Sequence, residues 1–522
     1  MVFFILLILL FFNVITIFFY FNLDQIILKR LIFLNLIIFY LLYLYALFIY
    51  SFFSFAKFPY QIFFSFSGLF SYFTFFFNNF SVYLYLDSVS ILFIILLFFL
   101  MPICMIINIY YSFQYYYKNI YSQYTFFFSF YITFHNILFS VLLIFLSIIL
   151  FLFFLSSDLF FFYIFFESSM IPLFFMIGVF GSRMNRVNAS FYLYFFTLIS
   201  SFSFLFGICF FYYIFGSTDF FILINLDIDE FWQKYFWILF FLPMSLKVPI
   251  FPIHIWLPEA HVEASTEGSI LLAGLLLKIG LFGIVRFLIP IFPKMVFYYY
   301  PLIASLTLIS IIYVSFIIFL QLDIKKIIAY SSIIHMNFAL LGLFSNTVTG
   351  LQGSIFMMFT HGFISSALFT LIGFIYIRFN SRIIYYIRGL KNYYPIFSTF
   401  FFIFMLGNLG MPGTGGFVGE FLIFLGILNK NIFIAFFSLC APLFSAIFSL
   451  LLFLKLFYGV PLYVPVNLSY NFMHLNKLNF FIPILSLEFY ILIFFSFFIF
   501  YTGLFPQSFL NLLDIYSNLL LI

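Results

Sequence analysis

Long apolar runs, interrupted only by short clusters of charge, proline, glycine or asparagine, cover the chain from end to end. A helix needs roughly 20 such residues to cross a hydrocarbon core about 30 Å thick. Divided at the interruptions, the sequence predicts about fourteen membrane helices, at 1–22, 31–55, 88–112, 126–155, 158–180, 188–214, 235–260, 268–290, 298–320, 325–345, 350–377, 395–427, 432–458 and 481–505. The stretch 56–87 is aromatic but broken by Pro59 and Gly68, and reads as a loop with room for short strands. The expected fold is therefore an all-α polytopic membrane protein. A β-barrel would need short alternating segments instead.

Composition sharpens this picture. Of 522 residues, 67% are hydrophobic and 7% charged, with mean hydropathy +1.27, against roughly 25% charged in a soluble domain. No segment has the polarity of a soluble domain, and nucleic acid is not an expected partner. The balance of 101 Phe and 39 Tyr against 3 Trp follows A/T-rich codons, as in an organelle genome. The first residues, MVFFILLILLFFNVITIFFY, lack a basic n-region and a small-residue cleavage site, so a first membrane helix is expected there, with no signal or transit peptide. Cys104, Cys209 and Cys440 lie on separate runs without C-x-x-C spacing, which points to packing, not to metal or cluster binding.

Charge adds orientation. Alternate loops and their edges carry Lys29, Arg30, Lys118, Arg183, Arg186, Lys325, Lys326, Arg378, Arg382, Arg388, Lys391 and Lys477, and the other loops only Lys57, Lys234, Lys294 and Lys430. Lysine and arginine accumulate on the cytoplasmic or matrix side, so both termini are expected on the opposite side. Arg286 and Lys455 fall near span ends, where a snorkelling side chain reaches the interface.

The remaining charges call for chemistry. Lys247, Lys278 and Glu167 fall near the middle of their spans, and Glu420 follows the glycine-rich stretch GNLGMPGTGGFVGEF. A charge at the bilayer centre costs about 2.5–3.5 kcal/mol on insertion scales, so such residues face one another or a wet interior. With His335 and His361 in other spans they suggest a proton or ion path, histidine being suited to relay near neutral pH. His254 is a further candidate, in the segment SLKVPIFPIHIWLPEAH at 245–261. Pro249 and Pro252 interrupt the helix beside Lys247, and a Gly/Pro interruption at 407–416 precedes Glu420. Paired interruptions of this kind mark transport sites. They imply an internal duplication, 126–290 and 298–458, of about five spans each, the second inverted because an odd number of spans reverses direction. Residues 1–125 would be N-terminal helices and 481–522 a C-terminal helix and tail.

The segment LPMSLKVPIFPIHIWLPEAHVEASTEGSILLAGLLLKIGLFGIVRF at 242–287 resembles the subunit 4 family of mitochondrial NADH dehydrogenase, antiporter-like membrane subunits of respiratory complex I. FFESSMIPLFFMIGVFG around Glu167, IKKIIAYSSIIHMNFALLG around His335, THGFISSALF around His361 and the glycine-rich stretch before Glu420 are similar too, and the resemblance covers roughly 85–505. AHVEA at 260–264 and an acid at 420 favour this family over the related subunits 2 and 5 and the Mrp-type cation/proton antiporters. The resemblance implies fourteen helices in an antiporter-like fold with two inverted five-helix repeats. It also implies that Glu167 and Lys247 form a tuning pair, that Lys278 is the central relay, that His335 and His361 are relay histidines, and that Glu420 is the last proton carrier toward the positive side. No redox cofactor is expected in this chain, flavin and iron–sulfur clusters being carried by other subunits. Expected partners are the other membrane-arm subunits, above all neighbouring antiporter-like ones, and inner-membrane lipids. Ser265 departs from the family pattern where proline is usual, Glu267 where a small residue is common, and residues 1–84 carry no matching motif.

Overall fold

The computed structural model describes residues 64–65, 83–119, 125–459 and 486–521. The expected spans 1–22 and 31–55 lie outside the described residues. Within 56–87, Phe64–Ser65 (β1) pairs antiparallel with Tyr83–Leu84 (β2). The helices that bear on function are α1 (Ser88–Asn119), α2 (Thr125–Leu155), α3 (Leu159–Ser168), α4 (Met170–Gly178), α5 (Arg186–Phe215), α6 (Glu230–Lys247), α7 (Trp256–Glu263) and α8 (Thr266–Ile291). They continue as α9 (Pro293–Leu320), α10 (Ile324–Phe344), α11 (Val348–Phe379), α12 (Pro395–Leu409), α13 (Gly415–Lys430), α14 (Ile432–Phe457), α15 (Ser486–Leu504) and α16 (Gln507–Leu521). Among the described residues, 10 helical stretches are long and apolar enough to cross a membrane.

The two expected spans that contain Pro/Gly interruptions are each split. The first ends at Lys247 and resumes at Trp256, because Pro249 and Pro252 cannot donate the backbone bonds a continuous helix needs. The second stops at Leu409, where Gly410 takes a left-handed conformation with φ 74°, and resumes at Gly415. Elsewhere local chemistry sets the ends. Asp158, Asp219 and Asp323 each accept a backbone N–H two residues on, satisfying donors that a helix start leaves free.

Burial sorts the helices. The most apolar window of α8 and of α11 is 100% buried inside the protein and that of α10 is 94%, against 33–44% for α2, α5, α9 and α14. The outer helices keep an apolar surface for lipid or partner subunits, while α8, α10 and α11 form a central axis. Close approach along it depends on small residues, as is usual in membranes. A Cβ at Gly362, next to His361, would lie 3.3 Å from the Gly274 carbonyl on α8. That contact brings the lysine-bearing helix against the histidine-bearing one.

One expectation about charge is corrected. Arg286 does not snorkel: it is 1% exposed and pairs with Asp87 at 3.3 Å, because α8 is enclosed and offers its guanidinium no interface to reach. Lys325 and Arg382, at loop edges, are 0% and 2% exposed, drawn inward to carbonyls that the broken helix leaves at Ala264 and Val262. Lys455 is exposed.

Candidate functional site

Lys278 sits in α8 between two π-turns, Leu272–Leu276 and Ile284–Leu288. Such turns displace the usual i→i+4 bonding and recur at functional sites. The Lys278 ammonium donates to the Ala273 carbonyl in the first of them and lies 3.1 Å from His361 Nδ1 on α11. With Nδ1 accepting from the ammonium, a neutral His361 keeps its proton on Nε2. The His361 and His335 rings lie 5.4 Å apart, centre to centre. His335 Nδ1 faces Glu420 Oε1 at 3.4 Å, and its Nε2 is buried without a hydrogen-bond partner. Lys278, His361, His335 and Glu420 thus follow one another across α8, α11, α10 and α13, all at most 8% exposed.

Glu420 is held by the second break. A Cβ at Gly410 would come within 2.4 Å of its Oε2, so the glycine both permits the left-handed turn and leaves room for the carboxylate. Gly410→Ala is expected to push Glu420 off His335 and to lower stability by about 1–2 kcal/mol, the cost of a left-handed residue that carries a Cβ; the midpoint of thermal unfolding tests this.

Lys247 occupies the last turn before the first break. It is 1% exposed, its Nζ has no hydrogen-bond partner, and it lies 4.5 Å above the Phe166 ring. Glu167, beside Phe166 at the junction of α3 and α4, has Oε1 buried and unpartnered. No ion pair joins Glu167 and Lys247, whose Oε1 and Nζ are both buried without a hydrogen-bond partner. Lys247 flanks the axis: a Cβ at Gly280, two residues from Lys278, would meet Lys247 Cβ at 3.0 Å. His254 lies apart from the lysine–histidine row. It packs against the rings of Phe251, Tyr313 and Tyr330 in the break itself.

Sequence reading missed several buried groups. His261 is 0% exposed, has neither ring nitrogen partnered, and stacks on Phe369 at 4.8 Å. Lys325 donates to the Ala264 carbonyl at 2.9 Å. Arg382 bonds the Val262 carbonyl and the Ser182 hydroxyl, tying α7 to two loops. A cation near a predicted span end looks solvated in sequence, and only the broken helix shows what it reaches. His261, the last residue of SLKVPIFPIHIWLPEAH, was visible as a residue, but its environment was not.

The transmembrane family described as NADH:quinone oxidoreductase/Mrp antiporter matches residues 156–445. NADH-ubiquinone oxidoreductase chain 4 of Acanthamoeba castellanii is 42% identical over 74% of this chain and 73% of its own length. That of Marchantia polymorpha is 42% identical over 73% of each, and that of Arabidopsis thaliana 37% over 83% and 81%. Among solved structures, a chain of respiratory complex I from Thermus thermophilus superposes with TM-score 0.77 at 24% identity, covering 100% of both chains. A chain of the Mrp complex from Dietzia gives 0.71 at 19% identity, over 84% of this chain and 85% of that one. These two likenesses carry the fold alone; the sequence relatives place the protein more narrowly. The chain belongs to the antiporter-like transmembrane family of NADH:quinone oxidoreductase and Mrp subunits, and within it to NADH-ubiquinone oxidoreductase chain 4.

Proposed function

We propose that the chain is a proton-translocating membrane-arm subunit of respiratory complex I in the mitochondrial inner membrane, coupling NADH-to-ubiquinone electron transfer to proton movement. The observation that carries this reading is the row Lys278–His361–His335–Glu420. A proton leaving the Lys278 ammonium enters His361 at Nδ1 and departs from Nε2. It then reaches the bare Nε2 of His335, whose Nδ1 faces Glu420. Water bridges steps that exceed hydrogen-bond length. Moving one charge against 100 mV costs about 2.3 kcal/mol, so the driving energy comes from partner subunits, which also carry the flavin and iron–sulfur chemistry. Glu167 sets the proton affinity of Lys247: brought closer it holds the proton on the lysine, and drawn away it releases it.

Two inverted repeats, 126–290 and 298–458, give this path its symmetry. Both contain a broken helix. In the first, Asp158 caps α3 and bridges to Asp219; in the second, Asp323 caps α10 and bridges to Ile383. An odd number of spans sets the two constructions on opposite faces. Both termini then lie on the intermembrane-space side, and Arg183, Arg186, Lys326 and Arg388 mark the matrix side, called here the basic face. His254, in the break, borders the route at that face.

The test combines location and turnover. On a native gel of mildly solubilised membranes, mass spectrometry should find the chain in the large NADH-oxidising band. A smaller, flavin-free assembly with sodium-dependent exchange would mean a cation/proton antiporter instead. Within the assembled complex, Glu167→Ala or Lys247→Ala is expected to cut pumping-coupled quinone reduction by about tenfold, equivalent to 1.4 kcal/mol on the barrier. Wild-type coupling in either variant refutes their role.

A further inference from the structure

The first break frees backbone carbonyls that no helix satisfies, and irregular backbone at membrane depth persists only where the protein supplies other donors. The Ile250 N–H reaches back to the Ser245 carbonyl at 3.4 Å, and the Ile253 N–H to that of Ile250 at 2.8 Å. Two further carbonyls are met by side chains. Trp256 Nε1, on the first residue of α7, donates to the Leu246 carbonyl at 3.2 Å and closes the break across itself. Asn337, on α10, donates to the Pro249 carbonyl at 3.4 Å. The proton path above uses neither residue. Asn337 is 0% exposed, and its second amide proton goes to the Ile333 carbonyl at 2.9 Å. Its Oδ1 is buried without a hydrogen-bond partner. The opposite amide orientation would set Oδ1 against two carbonyl oxygens, so a donor is what this position supplies. A buried amide with one end bare is costly where an apolar side chain would not be, and the bond to the break is what it provides in return.

This bond is the inner end of a longer contact. Along α10, Asn337, Tyr330, Lys326 and Lys325 meet Pro249, His254, Glu259 and Ala264 in turn. The Tyr330 and His254 rings are 6.5 Å apart, Lys326 Nζ is 2.7 Å from Glu259 Oε1, and Lys325 Nζ is 2.9 Å from the Ala264 carbonyl. The broken segment is thus laid antiparallel along one helix. Two residues of α-helix turn about 200°, so Asn337 points away from His335, which faces Glu420 at 3.4 Å. Standing between the two breaks, α10 touches both. Pro249 is two residues from Lys247, and Lys247 packs against α8, where a Cβ at Gly280 would meet its Cβ at 3.0 Å. Holding the Pro249 carbonyl therefore holds Lys247 against the helix that carries Lys278.

We propose that Asn337 is a positioning residue for proton transfer: its amide fixes the first break to α10 and so sets the place of Lys247 beside α8. Asn337 carries no proton itself. Without its amide the Pro249 carbonyl has no donor, the chain after Lys247 is free to shift, and the lysine loses its fixed place relative to Lys278.

This inference rests on the proton-translocating reading, and the experiment separates the two. In inverted inner-membrane vesicles the basic face meets the medium, so pumping per NADH oxidised, normalised to assembled complex, is read against medium pH. Asn337→Leu keeps the branching at Cγ and removes the donor; pumping should fall about fivefold, the scale of one buried hydrogen bond. Asn337→Ala serves if the leucine variant fails to assemble. Asn337→Asp keeps the shape, and its carboxyl donates to the Pro249 carbonyl only while protonated. Pumping in that variant is taken relative to wild type, which cancels the titration of the native groups. The ratio should be near one at the acid end and fall to the leucine level at the alkaline end, a change that packing alone does not produce. Adding Asn337→Leu to Lys247→Ala should cause no further loss, because the lysine it places is gone. Wild-type pumping in Asn337→Leu, an aspartate ratio that does not vary with pH, or losses that multiply in the double variant overturns the inference. Lys278→Met in the same vesicles is the control. If it abolishes pumping while Asn337→Leu pumps as wild type, only the positioning role falls; if it pumps normally, the parent reading falls.

Discussion

Lys278→Met is expected to abolish proton pumping while NADH-oxidising complex still assembles. The side chain fits the replacement: methionine fills a similar apolar volume, and α8 is enclosed on all sides, so packing is kept. What disappears is the ammonium that bonds the Ala273 carbonyl and faces His361 Nδ1 at 3.1 Å. His361 then has no donor, and the row to His335 and Glu420 starts without a proton. Relay elements that act as a unit fail together, so the loss should not add to that of Glu420→Gln. Quinone reduction coupled to pumping should fall at least about tenfold, or 1.4 kcal/mol on the barrier. Vesicle acidification per NADH oxidised, normalised to complex content on a native gel, measures it. Pumping at the wild-type ratio would remove Lys278 from the path.

The second large effect concerns stability. Arg286→Ala should sharply reduce the amount of assembled complex, because it leaves Asp87 buried without its cation. The pair is 1% and 5% exposed at the side chains and 3.3 Å apart, and the guanidinium also bonds the Phe154 carbonyl at 3.2 Å. Breaking a buried pair from one side costs about 3–5 kcal/mol. Asp87 itself caps α1 through the Ser90 N–H at 2.7 Å, so its displacement loosens that helix against α8. The double variant Asp87→Asn, Arg286→Met removes both charges and should assemble better than Arg286→Ala alone. Equal losses in the two would show that packing, not the stranded charge, sets the effect.

Both predictions turn on helices whose existence was legible from hydropathy but whose neighbours were not. The apolar runs located α1 to α15, most ends within a few residues and α1 running on to Asn119 past the expected 112, because a bilayer imposes helix length through backbone hydrogen bonding. Proline and glycine placed the interruptions at 248–255 and 410–414, because loss of a donor or a left-handed turn is a local property. The mid-span charges Glu167, Lys247, Lys278 and Glu420 also stood out, since no local interaction explains a charge in an apolar run.

Sequence alone therefore determined the membrane class, the interruptions, and which charged residues need an explanation, all of which follow from local composition and backbone chemistry. Tertiary structure decided the rest. Lys278, His361, His335 and Glu420 come from four helices and meet only where Gly274, Gly362 and Gly410 let those helices close up. Glu167 and Lys247, both singled out in the sequence, turn out to be buried without an ion pair between them. Arg286, Lys325 and Arg382 look like interfacial cations in sequence and are interior groups in the fold. The reason is common to all of them: whether a long cationic side chain meets water or a buried carbonyl depends on what packs beside its helix, and that is set by contacts between residues far apart in the chain.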